Sequence, residues 1–334
     1  MRFSLLVALA CLAVSHAAEY QGIRDVWSFD VGHGRDSDWM DRIADDTPLS
    51  SLSIPGTHNS MTYYLHKSWT HTQNVLLSEQ LRGGIRYIDI TCKYKDGDIQ
   101  VYHGHSDTVL NLGYVLKTMF AFLDAHPRET ILLRIQRGDH SKDFMERFDK
   151  YFVPGSELGN RADERVYSKD GGITAAPILG ELRGKVFILQ DFKTERPGRY
   201  GLPWNSNTVD NYNHKVSAGR LFINSKWKGV KSHLSKAPSP DSNRLRITHT
   251  TASVGVSPIN IAAKNNPDVG MNGLLGQYLQ NRDNVCFGII AMDFPGRHLV
   301  DNIISLNNKR RVSKRTSLVS DSTDTVPVEA GNHA

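Results

Sequence analysis

Ser53-Ile54-Pro55-Gly56-Thr57-His58-Asn59-Ser60 is the stretch on which the reading of the fold turns. A short apolar strand over residues 52–55 ends in a Pro-Gly turn, and the chain delivers His58 immediately beyond it. Val101-Tyr102-His103-Gly104-His105 repeats the arrangement, with a glycine that lets a ligand approach the backbone closely. Further strands are expected over 85–91, 99–102, 130–135, 185–189, 220–224, 245–248 and 285–292. A helix ends near Gly83, and another over 114–125 puts Val115, Met119 and Phe122 on one face and stops before Pro127. Ile131-Leu132-Leu133 and Phe287-Gly288-Ile289-Ile290 are near-continuously apolar, as parallel strands covered on both faces must be.

Strand and helix in alternation predict an α/β fold, either a doubly wound sheet or a closed barrel. Thr57-His58-Asn59, His103-Gly104-His105, Gln136 and Asp293 fall just past strand ends, where barrel enzymes carry their chemistry. Neither a Gly-rich dinucleotide fingerprint nor a phosphate loop follows a strand, so a nucleotide-binding sheet is the weaker alternative.

Arg2, the apolar run from Phe3 to Val14, and the small residues Ser15 and Ala17 read as a secretory signal over residues 1–17. The run is shorter than the roughly 20 residues a membrane-spanning helix needs, so membrane contact is expected to be peripheral. Of three cysteines, Cys11 lies in the signal, which leaves Cys92 and Cys286 for at most one disulfide. A chain of 334 residues must then stand on its own core, expected as one domain over 18–308 followed by a disordered tail at 309–334, rich in Ser, Thr, Lys and Asp. The formal charge of +5 falls to about +2 once Arg2 and the basic tail are set aside, which is too little to argue for nucleic acid.

Two strand-end histidines suit proton transfer near neutral pH, because one imidazole accepts a proton while the other donates. Phosphodiester cleavage needs that division, together with a cation for the charge that grows on the phosphoryl oxygens. Most of the 14 histidines, His66, His140, His233 and His298 among them, are expected to be ordinary surface or capping residues.

The run Ser53 to Ser60, then Gly84-Ile85-Arg86-Tyr87-Ile88-Asp89-Ile90, then Val101-Tyr102-His103-Gly104, resembles the X region of the phosphatidylinositol-specific phospholipase C family, especially its bacterial-type secreted members. Order, spacing and strand context agree over residues 49–140, and weaker similarity runs through Arg183-Gly184-Lys185-Val186-Phe187-Ile188-Leu189, giving an X region of about 49–190, and again at Ile289 to Phe294. The resemblance implies a distorted, incompletely closed TIM-type barrel. It implies His58 as the base toward the inositol 2-hydroxyl, His103 as the acid toward the glycerol oxygen, and Asp293 as the carboxylate that orients the base.

Asp89 matches the acidic residue of the family's Asp-x-Arg pair in metal-independent members and of its Glu-x-Asp pair in calcium-dependent ones. Position 91 is Thr, neither the arginine nor the aspartate, which weakens the expected catalysis unless the phosphate's cation is relocated, with Lys93, Arg134 and Arg137 as candidates. Asn59, Arg86, Lys93, Gln136 and Trp204 complete the expected substrate-binding set. No cofactor is expected; calcium is disfavoured because Asn59 and Asp89 are the only matched oxygen ligands. Trp69, in the loop after the first strand, is the expected membrane contact of a chain read as a monomer.

The function implied is cleavage of phosphatidylinositol or a glycosylphosphatidylinositol to a cyclic inositol phosphate and a diacylglycerol. The alternatives are a phosphodiesterase for another headgroup, and a catalytically impaired member that only binds lipid or glycan headgroups.

Overall fold

The computed structural model describes residues 26–195, 198–214, 221–236, 244–251, 256–263, 269–282 and 285–311. The expected signal and the tail beyond residue 311 lie outside the described residues. Lys309 and Arg310 close a short 3-10 turn and Arg311 bridges to Ile43, so the described residues run slightly past the expected boundary.

Among the described residues ten strands build one sheet: β1 Ile54–Thr57, β2 Tyr87–Lys95, β3 Asp98–His103, β4 Ser106–Asn111, β5 Ile131–Arg137, β6 Val186–Asp191, β7 Leu202–Pro203, β8 Val209–Tyr212, β9 Leu245–His249 and β10 Ile289–Met292. Eight of them run parallel in the order β7-β6-β5-β2-β1-β10-β9-β8. The sheet curls, but the edge strands β7 and β8 do not pair, so the barrel is incompletely closed, as the resemblance implies. A hairpin of β3 and β4 stands antiparallel off β2, entered through the Asp96-Gly97 turn, whose φ angles of 51° and 82° suit a twisted two-residue connection.

Alternation along the strands separates lumen from exterior. On β10, Ile289 and Ala291 join the main core with Ile54, Tyr87, Leu132 and Ile247, whereas Ile290 and Met292 pack outward with residues of helices Leu221–Ser235, Met271–Leu279 and Arg297–Ser305. Gly56 is required where it stands, since a Cβ there would lie 2.7 Å from the Tyr87 ring.

The strand expected at 220–224 is instead the start of helix Leu221–Ser235. The short apolar run Leu221-Phe222-Ile223 fits either element, and the continuation decides, because Ile223, Val230 and Leu234 recur at helical spacing and are all buried. The strand expected at 285–292 shortens to β10, and β4, β7 and β8 were not anticipated. Cys92 and Cys286 are both free thiols.

Candidate active site

The C-terminal rim of the parallel strands opens on a cavity of about 570 Å³ lined by His58, Asn59, Asp89, Thr91, Lys93 and His103 on one side and by Arg134, Gln136, Arg137, Asn213 and Thr251 on the other. Larger surface clefts of about 820 and 760 Å³ lie elsewhere, and neither brings two histidines together.

His58 follows β1 and is fixed at both ring nitrogens. A carboxylate only accepts, so Nδ1–H donates to Asp293 Oδ1 at 2.9 Å, and Nε2 is left with the lone pair, which accepts from Asn59 Nδ2 at 2.8 Å. Asn59 reaches back over the ring because its φ of 44° lies in the left-handed region that asparagine tolerates. Below the ring, Gln73 Nε2 donates to the carbonyls of His58 and Met292, stapling the ends of β1 and β10 together. A ring so held has a nitrogen that can accept a proton, on a residue that lines the cavity.

His103 ends β3 with its ring centroid 6.0 Å from that of His58. Its Nδ1–H donates to the Thr70 carbonyl at 2.8 Å, leaving Nε2 as the atom that carries an exchangeable proton. Burial, and then the neighbouring His58, push its pKa below the ordinary histidine value. The loop that holds Thr70 also carries Trp69, which is 70% exposed.

The parallel register sets Asp89 of β2 beside Arg134 of β5. Arg134 Nη1 donates to Asp89 Oδ1 at 2.9 Å and Nη2 to Asp191 Oδ2 at 2.5 Å, while the guanidinium stacks 4.4 Å from the Trp204 ring. Burial works against its charge, but Asp89, Tyr87 and Asp191 outweigh it and hold the arginine's pKa above the ordinary value. The other candidate cations are engaged differently: Lys93 Nζ donates to the Gly104 carbonyl, and Arg137 donates to the Ser141 carbonyl and Asp139. Thr91 Oγ1 donates to Gln136 Oε1 at 3.2 Å, so an uncharged pair stands where acidic metal ligands would be needed.

Of the expected site residues, His58, Asn59, Asp89, Lys93, His103 and Gln136 line one cavity, Asp293 stands directly behind the base, and Trp204 backs Arg134. Arg86 is a correction. It lies at the opposite, N-terminal end of β2, is fully buried, and spends its donors on Glu129 and on the carbonyls of Leu81, Ile85, Asp36 and Ser37. Side chains alternate and the strand has a direction, so a charge before β2 serves the closed end of the barrel, where pairing with Glu129 satisfies it.

Arg134 was expected only as one of three replacement cations, although a charge inside Ile131-Leu132-Leu133-Arg134-Ile135 is itself a signal. Asn213 and Thr251 gave no signal. His249, buried at the end of β9 with its ring centroid 5.8 Å from that of His58, obeys the strand-end rule but was missed because the strand was expected to stop at residue 248.

The phosphatidylinositol-specific phospholipase C X domain matches residues 46–191. The 1-phosphatidylinositol phosphodiesterase of Listeria monocytogenes serovar 1/2a is 32% identical over 292 residues, covering 81% of this chain and 84% of the relative. The protein of the same name from Staphylococcus aureus strain Newman is 27% identical over 267 residues, covering 69% of this chain and 81% of the relative. The solved structure of phosphatidylinositol-specific phospholipase C from Listeria monocytogenes superposes with a TM-score of 0.68 at 28% identity, covering 82% of this chain and 99% of that one.

Proposed function

The chain belongs to the phosphatidylinositol-specific phospholipase C family, and from that membership we propose how its residues divide the work of cleaving phosphatidylinositol. It is a phospholipase C type phosphodiesterase. His58 Nε2 takes the proton of the inositol 2-hydroxyl, whose oxygen bonds to phosphorus as the bond from phosphorus to the glycerol oxygen breaks. Protonated His103 gives its Nε2 proton to that departing oxygen. The products are a cyclic inositol phosphate and a diacylglycerol, and a glycosylphosphatidylinositol would react alike.

Asp293 holds His58 in the tautomer that accepts at Nε2 and stabilises the imidazolium that forms. Asn59 occupies that nitrogen at rest and yields it to the substrate hydroxyl. Arg134 supplies the fixed positive charge that Thr91 lacks, from the strand next door, and Asp89 and Asp191 aim it. We read the reaction as independent of metal, because Asn59 and an Asp89 already paired with arginine are a poor ligand set for calcium.

The observation that carries this reading is the pair of imidazoles across one cavity, each with its far nitrogen anchored, one by a carboxylate and one by a carbonyl. The protein works as a secreted monomer, and Trp69 meets the bilayer interface beside the loop that holds His103. Among the described residues no helix is long and apolar enough to cross a membrane. The uncharged Thr91 favours a second reading, a headgroup-binding member without turnover.

Phosphorus NMR of the protein with phosphatidylinositol micelles, with and without chelator, beside His58→Ala and His103→Ala, tests both. A cyclic phosphate that survives chelator and is lost in both variants is expected. Headgroup binding without turnover in the unmodified protein would establish the second reading instead.

A further inference from the structure

The wall behind His58 holds a third imidazole with no part in the reaction just described. His249 is wholly buried, and among the described residues neither of its ring nitrogens has a hydrogen-bond partner. Its ring stands at 88° to that of His58, 5.8 Å between centroids, and it is not among the residues that line the cavity. The register Gly56↔Ala291↔His249 and Gly56↔Tyr87 sets it in the lumen layer just beneath the rim, with Ala291 as its direct neighbour and Gly56 one strand further on.

A buried polar group without a partner is expensive, and a phenyl ring of the same shape would fill this position at lower cost. The structure assigns His249 as a positioning residue for the base, kept for the polarity of its ring against His58 rather than for packing. This inference rests on the reading of His58 as the base.

The charged and titratable groups that face His249 are His58 beyond β1, Arg134 of β5 and Lys226 of helix Leu221–Ser235. Asp293 beyond β10 is bonded to His58, and Tyr87 of β2 lies in the same layer. Burial first, and then the neighbouring His58, Arg134 and Lys226, drive the His249 pKa well below the ordinary histidine value. Both causes favour the neutral ring. It adds a dipole beside the base but no charge to oppose the imidazolium that His58 becomes.

The test is His249→Phe, with His249→Asn as the variant that restores polar atoms. For Phe we expect thermal stability equal to or above that of the unmodified protein, KM within twofold, and kcat down tenfold or more. The His58 ring nitrogens, followed by nitrogen NMR, should titrate at a pH displaced by half a unit or more, with the pH profile of kcat moving alongside. Asn should recover part of kcat, and in the unmodified protein the His249 nitrogens should not titrate in the ordinary histidine range.

A Phe variant with unaltered kcat and unaltered His58 titration would overturn the assignment, as would loss of stability in step with activity, or a His249 that titrates in that range. His58→Ala separates the two inferences: full activity there removes the base, whereas an inactive His58→Ala beside a fully active His249→Phe removes only the positioning role.

Discussion

Arg134 has two proposed roles, holding Asp89 and charging the phosphate site, and a pair of substitutions separates them. Its guanidinium and the Asp89 carboxylate are 2.9 Å apart with side-chain exposures of 10% and 2%, so this is a buried ion pair. Replacing Arg134 by Gln strands Asp89, whose second oxygen already has no partner among the described residues. Breaking a buried pair from one side costs about 3–5 kcal/mol. Asp191 loses its partner too, but at 23% exposure water replaces much of what is lost. Removing a preorganised charge from the phosphoryl oxygens costs roughly 10²–10³ in kcat. Arg134→Gln should therefore lose both stability and turnover. Adding Asp89→Asn removes the stranded charge and lets two amides meet across the same register, so most of the stability should return while kcat stays low. Urea unfolding at pH 7 followed by tryptophan fluorescence reads the first quantity, and phosphorus NMR of micellar phosphatidylinositol reads the second. If the double variant recovers stability and turnover together, Arg134 is a structural residue and the phosphate's cation lies elsewhere.

Three further outcomes follow from the geometry. Burial and the nearby His58 depress the pKa of His103, and a general acid must be protonated to act, so kcat/KM should fall as pH rises through a value below the ordinary histidine 6.5. A bound phosphodiester adds negative charge beside the ring, so the corresponding limb of kcat should lie at higher pH; a pH profile with both limbs above 7 would contradict this. Trp69→Ala should weaken binding to phosphatidylinositol vesicles by roughly tenfold while hydrolysis of a water-soluble inositol phosphodiester stays unchanged, since the indole is exposed outside the cavity. Arg86→Met should cost about 3–5 kcal/mol of stability, read by urea unfolding, and leave the KM of whatever folded fraction remains unaltered, because the side chain is buried against Glu129 at the far end of the barrel.

Periodicity and punctuation made much of this molecule legible. A strand covered on both faces must be apolar throughout, so Ile131-Leu132-Leu133 could be recognised without knowledge of its neighbours. Pro55-Gly56 and Gly104 mark places where the chain turns, and polar residues where a short strand ends beside such a turn had to line the rim, which is why His58 and His103 could be named together. Arg86 misled because a motif match carries no direction: three residues separate it from Asp89, and that is enough to move a side chain from the open end of a parallel barrel to the closed one. Asn213 and Thr251 reach the cavity only through the curl of the sheet, which no local pattern encodes. Leu221-Phe222-Ile223 was misread because three apolar residues fit a strand or a buried helix turn equally, and only Val230 and Leu234 further on settle the period.

The uncharged Thr91 looks at first like a lesion in the catalytic apparatus, and the sheet explains why it need not be one. Neighbouring strands lie about 4.8 Å apart, less than the reach of an arginine side chain, so a charge required at one point of the rim can be supplied from either strand that borders it. Register decides whether the transfer works: Thr91 sits opposite Gln136, and Asp89, on the same face of β2, sits opposite Arg134. The acidic residue thus keeps its place and meets its cation across the ladder instead of along the strand. An arginine entering from β5 would point at random without restraint, and Asp89, Asp191 and the Trp204 face supply that restraint from three directions. On the proposed mechanism, such a transfer would keep a positive charge on the lining of the cavity that also carries the two imidazoles, where stabilisation of the phosphoryl oxygens needs it.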